Sequence, residues 1–120
     1  MITKLTPNQI FVFGSNTAGN HAGGAARQAA ADFGAEDGVG EGLIGRSYAF
    51  PTLNGDLSKR SDQELTHSVE LLYAACEEFP ELEFLLTKVG CGIAGFTEEH
   101  MRSFFQNPPD NLILPEDWNG

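Results

Sequence analysis

Phe84-Leu85-Leu86-Thr87-Lys88-Val89 runs directly into Gly90-Cys91-Gly92-Ile93-Ala94-Gly95-Phe96, a buried-strand pattern followed by glycines spaced G-x-G-x-x-G. Behind them Thr97-Glu98-Glu99-His100 has the form of a helix start. A strand that ends in such a turn and then a helix sets several backbone N–H groups at the carboxyl edge of a sheet. The helix start adds unpaired donors and a partial positive charge, so the turn can cradle a phosphate. The motif alone is weak, because an ordinary tight turn also explains it. Its meaning depends on what the rest of the chain places beside it.

A companion lies near the front of the chain. Asn8-Gln9-Ile10-Phe11-Val12-Phe13 reads as a short buried strand ended by Gly14-Ser15-Asn16. A loop of small and polar residues, Thr17 to Gly24, leads into the helix Ala25–Phe33, closed by Gly34, which suits a left-handed cap. Its alanine face is thin and predicts close approach to a sheet. Gly34 to Gly45 reads as a long glycine-rich loop, and Arg46 to Phe50 as a second strand stopped by Pro51-Thr52. Ser61-Asp62-Gln63-Glu64 has the form of a capping box. Leu65, Val69, Leu72, Tyr73, Cys76 and Phe79 then recur on one helical face. Met101, Phe104 and Phe105 line a third helix, and Asn111 to Pro115 reads as the last strand.

Strands and helices alternate, which predicts an α/β domain: a three-layer α-β-α sandwich on a mostly parallel sheet. One domain spans residues 1–120, too short for two cores. One or two further short strands are expected, at Ile2–Leu5 or Leu53–Leu57. In a sheet of this kind ligands sit beyond the carboxyl ends of the strands. Gly14–Gly24, Pro51–Gly55 and Gly90–Gly95 all end strands, and the first and third lead into helix starts. Two helix starts converging on one crevice would suit a diphosphate. A Rossmann role is disfavoured, since the G-x-G-x-x-G follows the third strand and not the first.

Seven basic against 17 acidic residues give a net charge of -10, which argues against nucleic-acid backbone binding, since that needs a basic face. A small phosphorylated ligand is not excluded, because backbone donors can hold one inside an acidic protein. No apolar run of about eighteen residues predicts a membrane span. Met1 to Asn8 lacks the regions of a signal peptide, so the cytoplasm is the expected compartment. Cys76 and Cys91 are expected as reduced thiols, and no metal or other cofactor is expected. Cys91 has two readings, a nucleophile activated at a turn or a small side chain beneath it, and the second is preferred. His21 likewise reads as a loop base or as plain surface, the latter preferred.

In order along residues 9–114, these blocks resemble the macrodomain family, which binds ADP-ribose, in a truncated form. The carriers are Phe11-Val12-Phe13-Gly14-Ser15-Asn16 with Gly23-Gly24-Ala25-Ala26, Gly40 to Gly45 with Tyr48-Ala49-Phe50-Pro51-Thr52, and Thr87 to Phe96. Small phage and bacterial macrodomain-like proteins share the same blocks. The resemblance implies a nucleotide ligand of the ADP-ribose type. Asn16 would face the distal ribose, and the backbone of Gly23, Gly24 and Ala25 and of Gly92, Ile93, Ala94 and Gly95 would wrap the diphosphate; Gly14, Ser15, Gly90 and Cys91 would complete the ligand-binding set. Phe96 would pack against the distal ribose. The family's adenine-reading aspartate has no counterpart before Asp32. The glycohydrolase branch has an aspartate where this chain has Ala94, and its first-helix lysine is also unmatched. The resemblance therefore favours binding without hydrolysis. The alternatives are a hydrolase on the same scaffold, or an accessory protein acting through protein partners.

Overall fold

In the computed structural model, which describes residues 4–21 and 23–118, the strand β1 (Gln9–Asn16) is the axis of a five-stranded sheet. Its side chains alternate between two apolar environments. Phe11 and Phe13 enter one and Ile10 and Val12 the other, all buried. That is why the strand reads as a continuous apolar run.

The remaining elements are α1 (Gly24–Asp32), β2 (Gly42–Ile44), β3 (Ser47–Leu53), α2 (Asp62–Glu78), β4 (Glu83–Leu86), α3 (Glu98–Arg102), β5 (Leu112–Ile113) and a final 3₁₀ turn, Glu116–Trp118. The sheet is mixed, in the order β2-β3-β1-β4-β5. β1 pairs parallel with β3 (Phe11 opposite Ser47) and with β4 (Phe11 opposite Leu85); β4 pairs parallel with β5, and β2 antiparallel with β3. No helix among the described residues is long and apolar enough to cross a membrane.

On one face Phe11, Phe13 and Ala49 meet Ala26 and Ala29 of α1 together with Phe33 and Ala35. The small alanines let α1 approach closely, as its composition predicts. On the other face Ile10, Val12, Tyr48, Phe50, Phe84 and Leu86 pack against Leu65, Val69, Leu72 and Cys76 of α2, and against Met101 and Phe105. Burying a phenylalanine such as Phe84 contributes about 1.5–3 kcal/mol relative to leaving it exposed. Trp118 closes this core, buried near Phe105, with its indole N–H donating to Glu98 Oε1 at 3.2 Å.

The capping box forms as expected. Ser61 Oγ accepts from Glu64 N–H at 3.1 Å, and the Glu64 carboxylate accepts from Ser61 N–H at 2.9 Å. The far end of α2 is closed from a distance. Asn111 Nδ2 donates toward the carbonyls of Cys76, Phe79 and Leu82, at 2.9, 3.2 and 2.9 Å. The Phe79 carbonyl also accepts from Leu82 N–H at 3.0 Å, whereas those of Cys76 and Leu82 depend on the Asn111 amide. Asn111→Ala is therefore expected to lower stability by about 1–3 kcal/mol, read as a reduced midpoint in urea.

Several boundaries differ from the sequence expectation. Gly34 to Gly45 is not all loop: Gly42–Ile44 forms β2, joined to β3 by the two-residue turn Gly45-Arg46. Gly45 has φ +59°, and a β-carbon there would stand 2.9 Å from the Gly34 carbonyl oxygen, so turn and helix end meet backbone to backbone. Arg46 lies in this turn and not in the strand, its guanidinium donating to Thr6 O at 2.6 Å. Pro51 and Thr52 do not stop β3 but continue it to Leu53. Antiparallel β2 begins opposite Ala49 and reaches no further along β3, so the next outward-facing nitrogen, that of Pro51, meets no strand and needs no hydrogen. β4 ends at Leu86 and not at Val89, and α3 ends before Phe104. The anticipated strand at Leu53–Leu57 is a single bridge from Leu53 to Lys59. Of the other, Ile2–Leu5, the first two residues lie outside the described residues, and Lys4 and Leu5 are not in a strand.

Candidate functional site

Because β1, β3 and β4 run parallel, their carboxyl ends open on the same edge of the sheet. Gly14, Ser15 and Asn16 leave β1 there, Thr52 and Leu53 leave β3, and Thr87 to Gly90 follow β4. Together with Asn20, Leu57, the start of α1 (Gly23 to Ala26) and the tip Gly92-Ile93-Ala94, they line a cavity of about 420 Å³. That volume lies within the usual range for a small-molecule site.

The loop after β4 is a compact knot. Cys91 N–H donates to Lys88 O at 3.2 Å, Gly95 N–H to Gly92 O at 3.0 Å, and Phe96 N–H to Gly90 O at 2.9 Å. The N–H groups of Gly92, Ile93 and Ala94 between them meet no acceptor among the described residues. α1 adds a second set of donors. Its N-cap, Gly23, makes no side-chain bond, and no acidic residue occupies its first turn. Uncapped helix N–H groups favour an anion. The two loops come close: a β-carbon on Gly14 would stand 3.4 Å from Gly90 N, and one on Gly23 would stand 3.7 Å from Ile93 Cδ1.

Apart from Asn20, the polar side chains of the cavity among the described residues are already committed. Ser15 Oγ donates to Gly40 O, Thr87 Oγ1 donates to Val12 O at 2.7 Å, and Thr52 Oγ1 donates weakly to Ser15 O at 3.5 Å. Asn16, expected to face a ribose, does border the cavity. Its amide, however, binds the backbone of Asn20 at both ends, donating at 3.0 Å and accepting at 3.1 Å. Lys88 is the only charged lining residue among those described. Its ammonium turns to Asp117 at 2.8 Å and Glu98 at 3.0 Å, which hold it above the usual lysine range. No carboxylate lines the cavity among the described residues.

Ten of the expected site residues thus come together: Gly14, Ser15, Asn16, Gly23, Gly24, Ala25, Gly90, Gly92, Ile93 and Ala94. Three do not border the cavity. Cys91 is half-buried against the larger core. Gly95 faces the Lys59 side chain. Phe96 lies beneath the Lys59 ammonium, 5.0 Å from its ring centre, and stacks on His100. The expected convergence of two helix starts reduces to one, since α3 begins beyond this loop and carries Glu98 and Glu99 in its first turn. Asn20, Thr52, Leu57 and Thr87 join the site; the sequence signals at Gly14–Gly24, Pro51–Gly55 and Thr87–Phe96 cover all of them but Leu57.

Two further residues behave differently from their residue types. His21 is not surface: it is buried edge-on to Phe13, and its Nε2 meets Glu36 O at 2.9 Å, fixing the loop before α1. Cys91 has its thiol raised above the usual range, chiefly by burial and then by the Glu98 charge. A raised pKa leaves less thiolate at neutral pH. Cys91 is expected to alkylate more slowly than free cysteine there and to speed up only above the ordinary thiol range, as followed by mass spectrometry with iodoacetamide. Faster reaction than free cysteine would reinstate a nucleophilic Cys91.

Compared with models of known families, with curated proteins and with solved structures, the chain finds no match.

Proposed function

We propose that this protein binds ADP-ribose or a related nucleotide diphosphate on a truncated, macrodomain-like three-layer α-β-α sandwich, and does not hydrolyse it. One observation carries the reading. Gly92 to Ala94, whose N–H groups meet no acceptor among the described residues, and the uncapped start of α1 line the same cavity, which no carboxylate borders among those residues. Such a cradle holds an anion by main-chain donors, without a free cation.

The absence of hydrolysis follows from the committed side chains. The three lining hydroxyls donate to carbonyls, and Ala94 stands where the resembling hydrolases carry an aspartate. Among the described residues, no lining side chain is placed to take a proton from water. The reading sets the protein in the cytoplasm, where thiols such as Cys76 and Cys91 stay reduced.

Calorimetry with ADP-ribose, NAD and AMP tests it. Saturable heat with ADP-ribose, weaker heat with AMP, and intact ADP-ribose recovered afterwards are expected. No heat and no thermal shift with any of the three would remove the reading. Release of ADP-ribose from a modified protein substrate would replace the binder with a hydrolase.

A further inference from the structure

Two aliphatic side chains stand exposed at this cavity, Leu57 (62 %) and Ile93 (85 %). Leu57 follows β3 and Ile93 follows β4, the two strands that flank β1, and both line the cavity at that edge; the Ile93 side chain extends toward the start of α1, its Cδ1 3.7 Å from where a β-carbon on Gly23 would stand. Leu57 also holds φ +68°, a backbone region that residues with a β-carbon avoid. The turn keeps it there. Asn54 N–H donates to Ser58 O at 2.8 Å, Leu57 N–H to Asn54 O at 2.9 Å, and Ser58 Oγ to Asp56 Oδ1 at 2.6 Å. A glycine or asparagine would suit that backbone better, yet the position carries an apolar side chain held out in solvent at the lip of the cavity.

We propose that Leu57 and Ile93 are two jaws that grip the planar base of the bound nucleotide, and that they read the flat faces of the base and not its hydrogen-bonding edge. The inference rests on the diphosphate reading above. Ribose hydroxyls set between two aliphatic groups would lose hydrogen bonds to water, whereas a base presents apolar faces to both. Few side chains on the lining are left to read an edge. The lining hydroxyls and the Asn16 amide are engaged, Lys88 is paired, no carboxylate is present, and only Asn20 keeps an uncommitted side-chain amide among the described lining residues. The ligand class is a nucleoside diphosphate, with little discrimination between bases.

The test titrates the wild-type protein, Leu57→Gly and Ile93→Ala with ADP, UDP and inorganic pyrophosphate, with a thermal melt for each variant. ADP and UDP are expected to bind within about threefold of each other, and both more than about tenfold tighter than pyrophosphate. Leu57→Gly is expected to weaken both nucleotides about tenfold and to leave the response to pyrophosphate unchanged. Its melting temperature is expected not to fall, since glycine is at ease at this backbone angle. Unchanged nucleotide affinity in both variants would overturn the jaws while leaving the diphosphate site standing. So would a preference for ADP over UDP beyond about tenfold, the mark of an edge-reading site. A wild-type protein that binds none of the three ligands would remove both readings together.

Discussion

Glutamate in place of Gly92 is expected to abolish binding of ADP-ribose while the protein stays folded. A β-carbon at Gly92 meets no atom within 4 Å, and its backbone is not left-handed, so a side chain enters open cavity without strain. What enters is a carboxylate, set among the N–H groups that would hold the diphosphate. Two like charges about 4 Å apart repel by about 4 kcal/mol near a protein surface, enough to weaken binding by more than about a hundredfold. Gly92→Ala separates charge from bulk, since its methyl group fits the same space and should weaken binding by less than about tenfold. Calorimetry on the two variants, with melting temperatures near wild type, gives the result. Wild-type affinity in Gly92→Glu would move the site elsewhere.

The second large effect concerns Gly40, which touches no ligand. A β-carbon there would overlap the Asn16 carbonyl oxygen and stand 2.7 Å from that of Thr17. Both obstacles are backbone, and neither can yield without shifting the end of β1. Ser15 Oγ also donates to the Gly40 carbonyl, so the same shift would break that bond. Gly40→Ala is expected to cost about 2–3 kcal/mol, lowering the melting temperature by roughly 10 °C. Affinity for ADP-ribose should fall with it, because Asn16 borders the cavity. A melting temperature within about two degrees of wild type would show that the β1 end adapts freely.

The parts of the fold legible in the sequence are those set by local chemistry. β1 and the core of β3 announce themselves as apolar runs, α2 by its capping box and helical spacing, and the cavity-lining loops by glycine at strand ends. Those loops are readable because a tight turn at a strand end requires small residues and little else. What escaped depends on tertiary neighbours. β2 is three residues beginning with Gly42, and only pairing with β3 makes it a strand. Pro51 looks like a stop because a missing N–H breaks a ladder; here its outward side is unpaired. His21 looks like surface until Phe13 and the Glu36 carbonyl enclose it. Leu57, in a polar stretch, gives no signal at all, since its significance lies in a backbone angle and in what it faces.

Placing β1 at the centre of the sheet also orders assembly in time. β1 precedes both of its sheet neighbours, Ser47–Leu53 and Glu83–Leu86, so one apolar edge stays unpaired until Glu83–Leu86 has been made. Pairing strands so far apart in sequence is slow, and an open apolar edge in the meantime invites misassociation. The cavity is bounded by the exits of β1, β3 and β4, and therefore exists only in the completed sheet. A ligand bound there stabilises the finished protein and none of its precursors, which makes occupancy a check on completed folding.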